Sequence, residues 1–109
     1  MTIRRLDKKD WATYFDDVSR TLGGKNVTLE AAPFGKAEME AKAITLGGLV
    51  YDAKSDVFEV QTETLDHLIQ GPKDIYVDES PGGITSIEVI DRDGVKQIII
   101  LSEPVAPDA

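Results

Sequence analysis

Cysteine is absent from this chain of 109 residues, and histidine occurs once, at His67. Without cysteine the chain can form no disulfide, no catalytic thiol and no zinc site built on thiolates. Long apolar runs are also lacking, because the longest, residues 98–101, is far too short to span a bilayer. No apolar segment follows the basic residues near Met1, so we expect a cytoplasmic protein with no signal peptide and no membrane partner.

Positive charge is scarce as well. Lys and Arg number 12 against 20 Asp and Glu, which gives a net charge of −8. Residues 1–10 hold four basic and two acidic side chains, so the remaining 99 residues sum to −10. Such a surface repels phosphate groups, whose attraction to basic side chains dominates nonspecific nucleic-acid affinity. Binding to nucleic acid is therefore disfavoured.

The sequence predicts one helix near its start, over about residues 8–22. Asp7 suits the N-cap position, and Leu6 and Trp11 have the spacing of a hydrophobic staple. The glycine pair at 23–24 would end the helix, because glycine tolerates the left-handed conformation there. The apolar residues at helical spacing form a single stripe: Trp11, Tyr14, Phe15, Val18 and Leu22.

After residue 24 the apolar period changes to two, which predicts strands. Apolar side chains alternate from Val27 onwards, and again from Ala37, until they switch parity between Ala43 and Ile44. A parity switch inside a strand predicts a bulge or a sharp bend. The glycine pair at 47–48 would permit strong bending at that point.

Later segments give signals of unequal strength. Residues 63–73 allow a single helical turn or an irregular strand, and both stay open. Residues 91–94, Asp-Arg-Asp-Gly, give the clearest hairpin signal in the chain. Residues 98–101 are apolar on both faces, so their strand is predicted to be central or covered by the helix.

Together these signals predict an α+β fold. One N-terminal helix packs on a curved, mostly antiparallel sheet, or on a small β-barrel, of about 6–7 strands. Residues 1–102 are expected to form a single domain. Residues 103–109 contain two prolines and no apolar period, so we expect a flexible tail.

A few residues between positions 66 and 79 could carry chemistry. A histidine beside a carboxylate can act as a general base or a ligand, and side chains two apart in a strand share a face. The ordinary alternative is a turn histidine and a solvated acidic face. We predict no metal site and no cofactor, since no phosphate loop, serine elbow or complete calcium loop occurs. The candidate ligand-binding residues are Asp66, His67, Tyr76, Asp78 and Glu79.

An uncharacterised family of short bacterial proteins resembles this chain in residues 65–79, with the pattern D-H-L-I…P-x-x-I-Y-V-D-E, and in residues 1–7 and 11–15. That family is a domain of unknown function, so the resemblance implies a bacterial protein without an established activity, and it carries over no functional residue. A weaker likeness to Sm-like RNA-binding barrels rests on residues 48–60. The basic-glycine motif that should follow in an Sm-like protein is missing.

Three classes of function stay open. The preferred one is a non-enzymatic binding or assembly module of a bacterial cell, whose partner is an unknown protein or a second copy of the chain. The second is a small-ligand or metal-binding protein, or an enzyme, with a site around His67 and the acidic strand 74–79. The third, an Sm-like RNA binder, conflicts with the net charge of −8. Because no catalytic constellation occurs, the sequence argues against an enzyme.

Overall fold

The computed structural model describes residues 2–20, 26–32, 38–63 and 66–105, and these contain one α-helix and eight strands. This confirms the predicted α+β class with its N-terminal helix. The helix α1 spans Trp11–Ser19 and follows a 3₁₀ turn at Lys8–Asp10. The strands are β1 (Thr2–Arg5), β2 (Asn26–Ala32), β3 (Glu38–Asp52), β4 (Val57–Thr62), β5 (Asp66–Gln70), β6 (Asp74–Ser80), β7 (Gly83–Ile90) and β8 (Lys96–Val105).

All strand pairs are antiparallel, and their order is β1-β6-β7-β8-β2-β3-β4-β5. The curved antiparallel sheet is therefore confirmed. Within the described residues β1 and β5 stand at the two ends of the order without pairing to each other, so the sheet is not closed into a barrel. The eight strands exceed the predicted number of about 6–7 by one, because the sequence did not predict β1. Its sequence, Thr-Ile-Arg-Arg, has only one apolar residue and shows no alternation.

β3 bends where the parity of its apolar residues switches. Residues 38–45 pair with β2, whereas residues 46–52 pair with β4. The pairing register shifts between Leu46 and Gly48, and again between the β2 pairings of Ala41 and Ile44. The predicted bulge is thus confirmed, and it divides the sheet into a larger half around β7 and β8 and a smaller half of β4, β5 and the end of β3.

The apolar stripe of α1 faces the inner surface of the sheet. Trp11, Phe15 and Val18 are buried, and the rings of Trp11 and Phe15 meet those of Tyr51 and Phe58 edge to face at 5.0 and 4.9 Å. Such offset pairs add to the hydrophobic gain from burying the rings. The predicted stripe is confirmed up to Val18. Leu22 and the glycine pair 23–24, which were predicted to end the helix, lie outside the described residues.

The start of the helical segment differs from the prediction in one respect. Asp7 occupies the N-cap position of the 3₁₀ turn, but its carboxylate makes no capping hydrogen bond. Instead the backbone carbonyl of Asp7 accepts from the amide of Asp10 at 2.9 Å, which closes a tight turn before α1. The staple pair is present, since Leu6 and Trp11 are both buried and the Trp11 indole Nε1 donates to the Leu6 carbonyl at 3.2 Å.

The structure decides between the two interpretations of residues 63–73, because residues 66–70 form β5 and pair with β4. The hairpin at 91–94 is confirmed: Asp91 Oδ1 accepts from the amides of Asp93 and Val95, and Gly94 has φ of +81°. Only glycine adopts that backbone conformation without steric cost.

β8 lies between β7 and β2, so its predicted central position is confirmed. It continues to Val105, which pairs with Ile84, and residues 106–109 lie outside the described residues. The division into a domain and a tail stays a prediction. Among the residues that the structure describes, no helix combines the length and the apolarity needed to cross a membrane.

Candidate functional site

The predicted site residues lie on two strands at different places in the sheet. Asp66 and His67 lie on β5, the last strand of the order, whereas Tyr76, Asp78 and Glu79 lie on β6, the second strand. A short corner, residues 71–73, joins the two strands in the chain. The five residues therefore form two separate groups in the pairing order.

Each group is also divided between the two faces of the sheet, because neighbouring side chains of a strand point to opposite faces. Tyr76 and Asp78 alternate with the buried residues Ile75 and Val77, so they share the outer face, which points away from α1. His67 pairs with the buried Val60 and is half-buried on the inner side. The structure brings Tyr76 and Asp78 onto one face and does not place His67 on it.

His67 joins a hydrogen-bonded chain that links the two halves of the sheet. Its Nε2 lies 2.6 Å from Gln97 Oε1 on β8, and the Gln97 amide Nε2 donates to Asp91 Oδ2 at 3.0 Å. Because a carboxylate only accepts, the Gln97 amide nitrogen must face Asp91 and its oxygen must face His67. The ring therefore donates from Nε2. These hydrogen bonds connect the edge strand β5 to β8 and to the turn that precedes it.

Glu79 is engaged in an ion pair at the edge of the sheet. Its Oε1 accepts from Arg4 Nε at 3.0 Å, and the Arg4 guanidinium lies 5.7 Å from the centre of the Tyr14 ring. The Tyr14 hydroxyl is shielded from solvent and has no hydrogen-bond partner of good geometry. Burial raises the pKa of Tyr14 to about 12, with Glu79 acting in the same direction and Arg4 in the opposite one. This cluster holds β1 and β6 against the helix.

Metal chemistry receives no support from the described part of the chain. No group of three or more His, Cys, Asp or Glu side chains is placed there so as to hold a metal ion. Asp66 is exposed on the edge strand. Asp78 differs from both residues of β5, because one oxygen of its carboxylate is shielded from solvent and has no hydrogen-bond partner among the described residues.

A groove crosses the outer face of the larger half of the sheet. One row of directly paired residues runs across four strands, from Ile3 on β1 through Asp78 and Ser86 to Ile100 on β8. Ile3 and Ile100 stand above the small Ser86 between them and remain 64% and 38% exposed. We call this surface the isoleucine groove; it is formed by Ile3, Asp78, Ser86, Glu88, Ile98 and Ile100.

Asp78 lies on the floor of the isoleucine groove without a partner. Its Oδ1 is shielded from solvent and accepts no hydrogen bond, and the side chain makes no ion pair with any described residue. A bulge lies beside it, because the register of β6 and β7 shifts after Asp78 and Thr85 has no counterpart. The Thr85 hydroxyl donates to the backbone carbonyl of Asp78 at 3.1 Å rather than to its carboxylate. Buried polar atoms without partners are rare in folded proteins and are costly.

The other charges near the isoleucine groove are already paired. Arg5 bonds to Asp74 at 2.9 Å, an interaction that raises the pKa of Arg5, and Lys96 lies 3.3 Å from Glu88. Asp78 is thus the carboxylate of the groove that no cation of the described chain neutralises. The groove combines two apolar walls with one unneutralised acid on its floor.

Sequence reasoning named Asp78 and Tyr76 but missed the isoleucine groove. The available signal was the run at residues 98–101, which is apolar on both faces although the helix can cover only one face of the sheet. Ile3 gave no signal, because β1 meets β6 only through contacts more than 70 residues apart in the chain.

Comparison of the chain with known proteins finds one family and one relative. The sequence profile of a family of unknown function, DUF5335, matches residues 2–109. An uncharacterised protein of Aquifex aeolicus (strain VF5) is 42% identical over 109 residues, which cover 98% of this chain and 97% of that protein. No solved structure matches the chain. The resemblance to an uncharacterised bacterial family is therefore confirmed.

Proposed function

This chain belongs to the DUF5335 family of unknown function, and from its geometry we propose that it is a non-enzymatic binding module. The isoleucine groove receives a segment of a protein partner. The observation that carries the proposal is the exposure of Ile3 and Ile100 on either side of the unpartnered Asp78. A cytoplasmic location belongs to the same proposal, supported by the absence of cysteine.

The shape of the groove suits a polypeptide. β1 and β8 are three strand spacings apart in the sheet order, which corresponds to about 14 Å between the two walls. That width accommodates an extended segment or one face of a helix, whose overall diameter is about 10 Å. Apolar walls with a polar floor are typical of surfaces that bind protein segments.

The apolar residues of β8 support the same conclusion. β8 is the central strand of the larger half, and it carries Ile98 and Ile100 on the outer face as well as the buried Ile99 and Leu101 on the inner face. A strand buried on both faces has this composition, whereas a strand with one face in water normally alternates apolar and polar residues. A partner lying in the groove would supply the second cover.

The test is site-specific photo-crosslinking in the native host. A benzoylphenylalanine replaces Ile100 in one variant and Leu68 in the other; Leu68 is a matched control because it is 50% exposed on the smaller half of the sheet. We expect a single defined adduct from position 100 and none from position 68. The mass of the adduct distinguishes a second copy of the chain from another protein.

Two results would contradict the proposal. One is the absence of any adduct at position 100 when the variant is expressed at the level of the wild type. The other is an identical set of adducts from positions 100 and 68, which would indicate nonspecific contact between exposed apolar side chains.

A further inference from the structure

The floor of the isoleucine groove has a chemistry that selects its occupant. Asp78 lies between the Ile3 wall and Ser86, and its Oδ1 has neither solvent nor a hydrogen-bond donor. A carboxylate that lacks donors on one side gains more from an incoming cation than a fully solvated one does, because less hydration is lost.

We propose that Asp78 binds a lysine or arginine side chain of the partner segment that lies in the isoleucine groove. This inference rests on the proposed function and names the chemistry of its partner. The alkyl stem of such a side chain packs on Ile98 and Ile100, and its cationic end reaches the Asp78 carboxylate.

The match between ligand and groove is both apolar and electrostatic. Long basic side chains bury their stems along apolar surface and keep the charged end at a polar group. The groove offers apolar walls and, at its floor, a carboxylate that no described cation pairs with, since Arg5 is held by Asp74 and Lys96 by Glu88. The overall charge of −8 attracts a basic partner over a longer range.

An acidic or neutral occupant fits less well. An acidic side chain would bring a second negative charge beside Asp78, and like charges in a poorly solvated site repel strongly. A neutral alkyl side chain would cover the carboxylate without supplying a donor, which leaves a buried charge unpaired. Of these three kinds of side chain, the cationic one contacts the apolar walls and also supplies the donor and the charge that the Asp78 carboxylate lacks.

The experiment uses two probes that differ only in the charged group, N-acetyl-lysine methylamide and N-acetyl-norleucine methylamide. The protein carries ¹³C label on the δ1 methyl groups of its isoleucines, and each probe is titrated by NMR. The methyl groups of Ile3, Ile98 and Ile100 report on the groove, and those of the buried Ile75 and Ile87 serve as internal controls.

We expect the lysine probe to shift the three groove methyl groups with a dissociation constant about fivefold lower than that of the norleucine probe, the ratio expected from one partly screened ion pair. In Asp78→Asn the two constants become equal. The matched control Asp66→Asn, which alters an exposed carboxylate on β5, keeps the difference. Asp78→Asn should fold normally, because the native carboxylate makes no hydrogen bond that the substitution removes.

The inference is overturned if the lysine probe binds no better than norleucine, or if its advantage persists in Asp78→Asn. Either result is compatible with the proposed function if the photo-crosslinked adduct at position 100 still forms. The groove would then bind a partner segment without distinguishing its charge. Loss of the adduct together with a normal lysine preference would instead remove the proposed function and keep Asp78 as a cation site.

Discussion

The hydroxyl groups of Tyr14 and Tyr51 differ in their hydrogen bonding. The Tyr51 hydroxyl donates to Asp56 Oδ1 at 2.6 Å, and burial together with this bond raises the pKa of Tyr51 to about 12. The Tyr14 hydroxyl is buried near the Arg4 guanidinium and has no hydrogen-bond partner of good geometry among the described residues. The first hydroxyl therefore stabilises the fold, whereas the second loses hydration and gains no hydrogen bond of good geometry in return.

The substitutions Tyr51→Phe and Tyr14→Phe form a matched pair. We expect Tyr51→Phe to lower the free energy of unfolding by about 1 kcal/mol, since it removes a bond to a carboxylate that water can then solvate. Tyr14→Phe should leave the free energy of unfolding unchanged or raise it by up to about 1 kcal/mol. Urea unfolding at neutral pH measures both values, and a loss in Tyr14→Phe as large as that in Tyr51→Phe would disprove this account.

Among the described residues, the second half of β3 has a neighbouring strand on one side only. Residues 46–52 pair with β4, and the pairing with β2 reaches only as far as Thr45 in the described part of the chain. The helix takes the place of the missing strand at one point: the Ser19 hydroxyl donates to the Leu49 carbonyl at 2.8 Å and accepts from the Leu49 amide at 2.9 Å. A single side chain thus satisfies both backbone groups of a buried residue.

The substitution Ser19→Ala tests how much the two hydrogen bonds between Ser19 and the Leu49 backbone contribute to stability. It leaves the Leu49 amide and carbonyl without partners, so we expect the free energy of unfolding to fall by about 1–3 kcal/mol. The Leu49 amide should also exchange with deuterium faster than in the wild type. Thr13→Ala, which removes an exposed hydroxyl from the same helix, is the control. Equal stability of the two variants would show that the Ser19 bonds contribute nothing.

Elements with a local signal could be predicted from the sequence, and elements defined by distant partners could not. The hairpin at 91–94 depends on Asp91 and Gly94, which act on neighbouring amides, and the bend in β3 follows from the parity of its own residues. β1 is different, because the strand that it pairs with, β6, follows more than 70 residues later in the chain. Residues 66–70 became a strand only through pairing with β4.

At the scale of the whole molecule, the candidate site could be predicted only in part, because segments far apart in the chain come together to form it. The period of two places Tyr76 and Asp78 on one face from the sequence alone. The isoleucine groove, however, joins β1 and β8, which lie at opposite ends of the chain and meet only through β6 and β7. His67 could be recognised as the only histidine, but its partner Gln97 lies 30 residues away.

The two halves of the sheet differ in whether the carboxylate between their exposed apolar side chains has a hydrogen-bond partner. The exposed residues Val50 and Leu68 of the smaller half pair with Glu59, which lies between them and holds the amide of Gln61. Each apolar side chain there stands beside a carboxylate that already accepts a hydrogen bond, from Gln61. On the larger half, the acid between the isoleucines has none.

The most direct test of the isoleucine groove is the melting temperature of wild type and Ile100→Thr, each measured as purified protein and in lysate of the native host. A partner that binds only the folded chain raises its melting temperature by mass action. We predict that the wild type melts higher in lysate than when purified, and that Ile100→Thr melts at the same temperature in both. Purified Ile100→Thr should match the purified wild type closely, because threonine suits a strand and position 100 is exposed. If Ile100→Thr keeps the full gain in lysate, the isoleucine groove is not the binding surface.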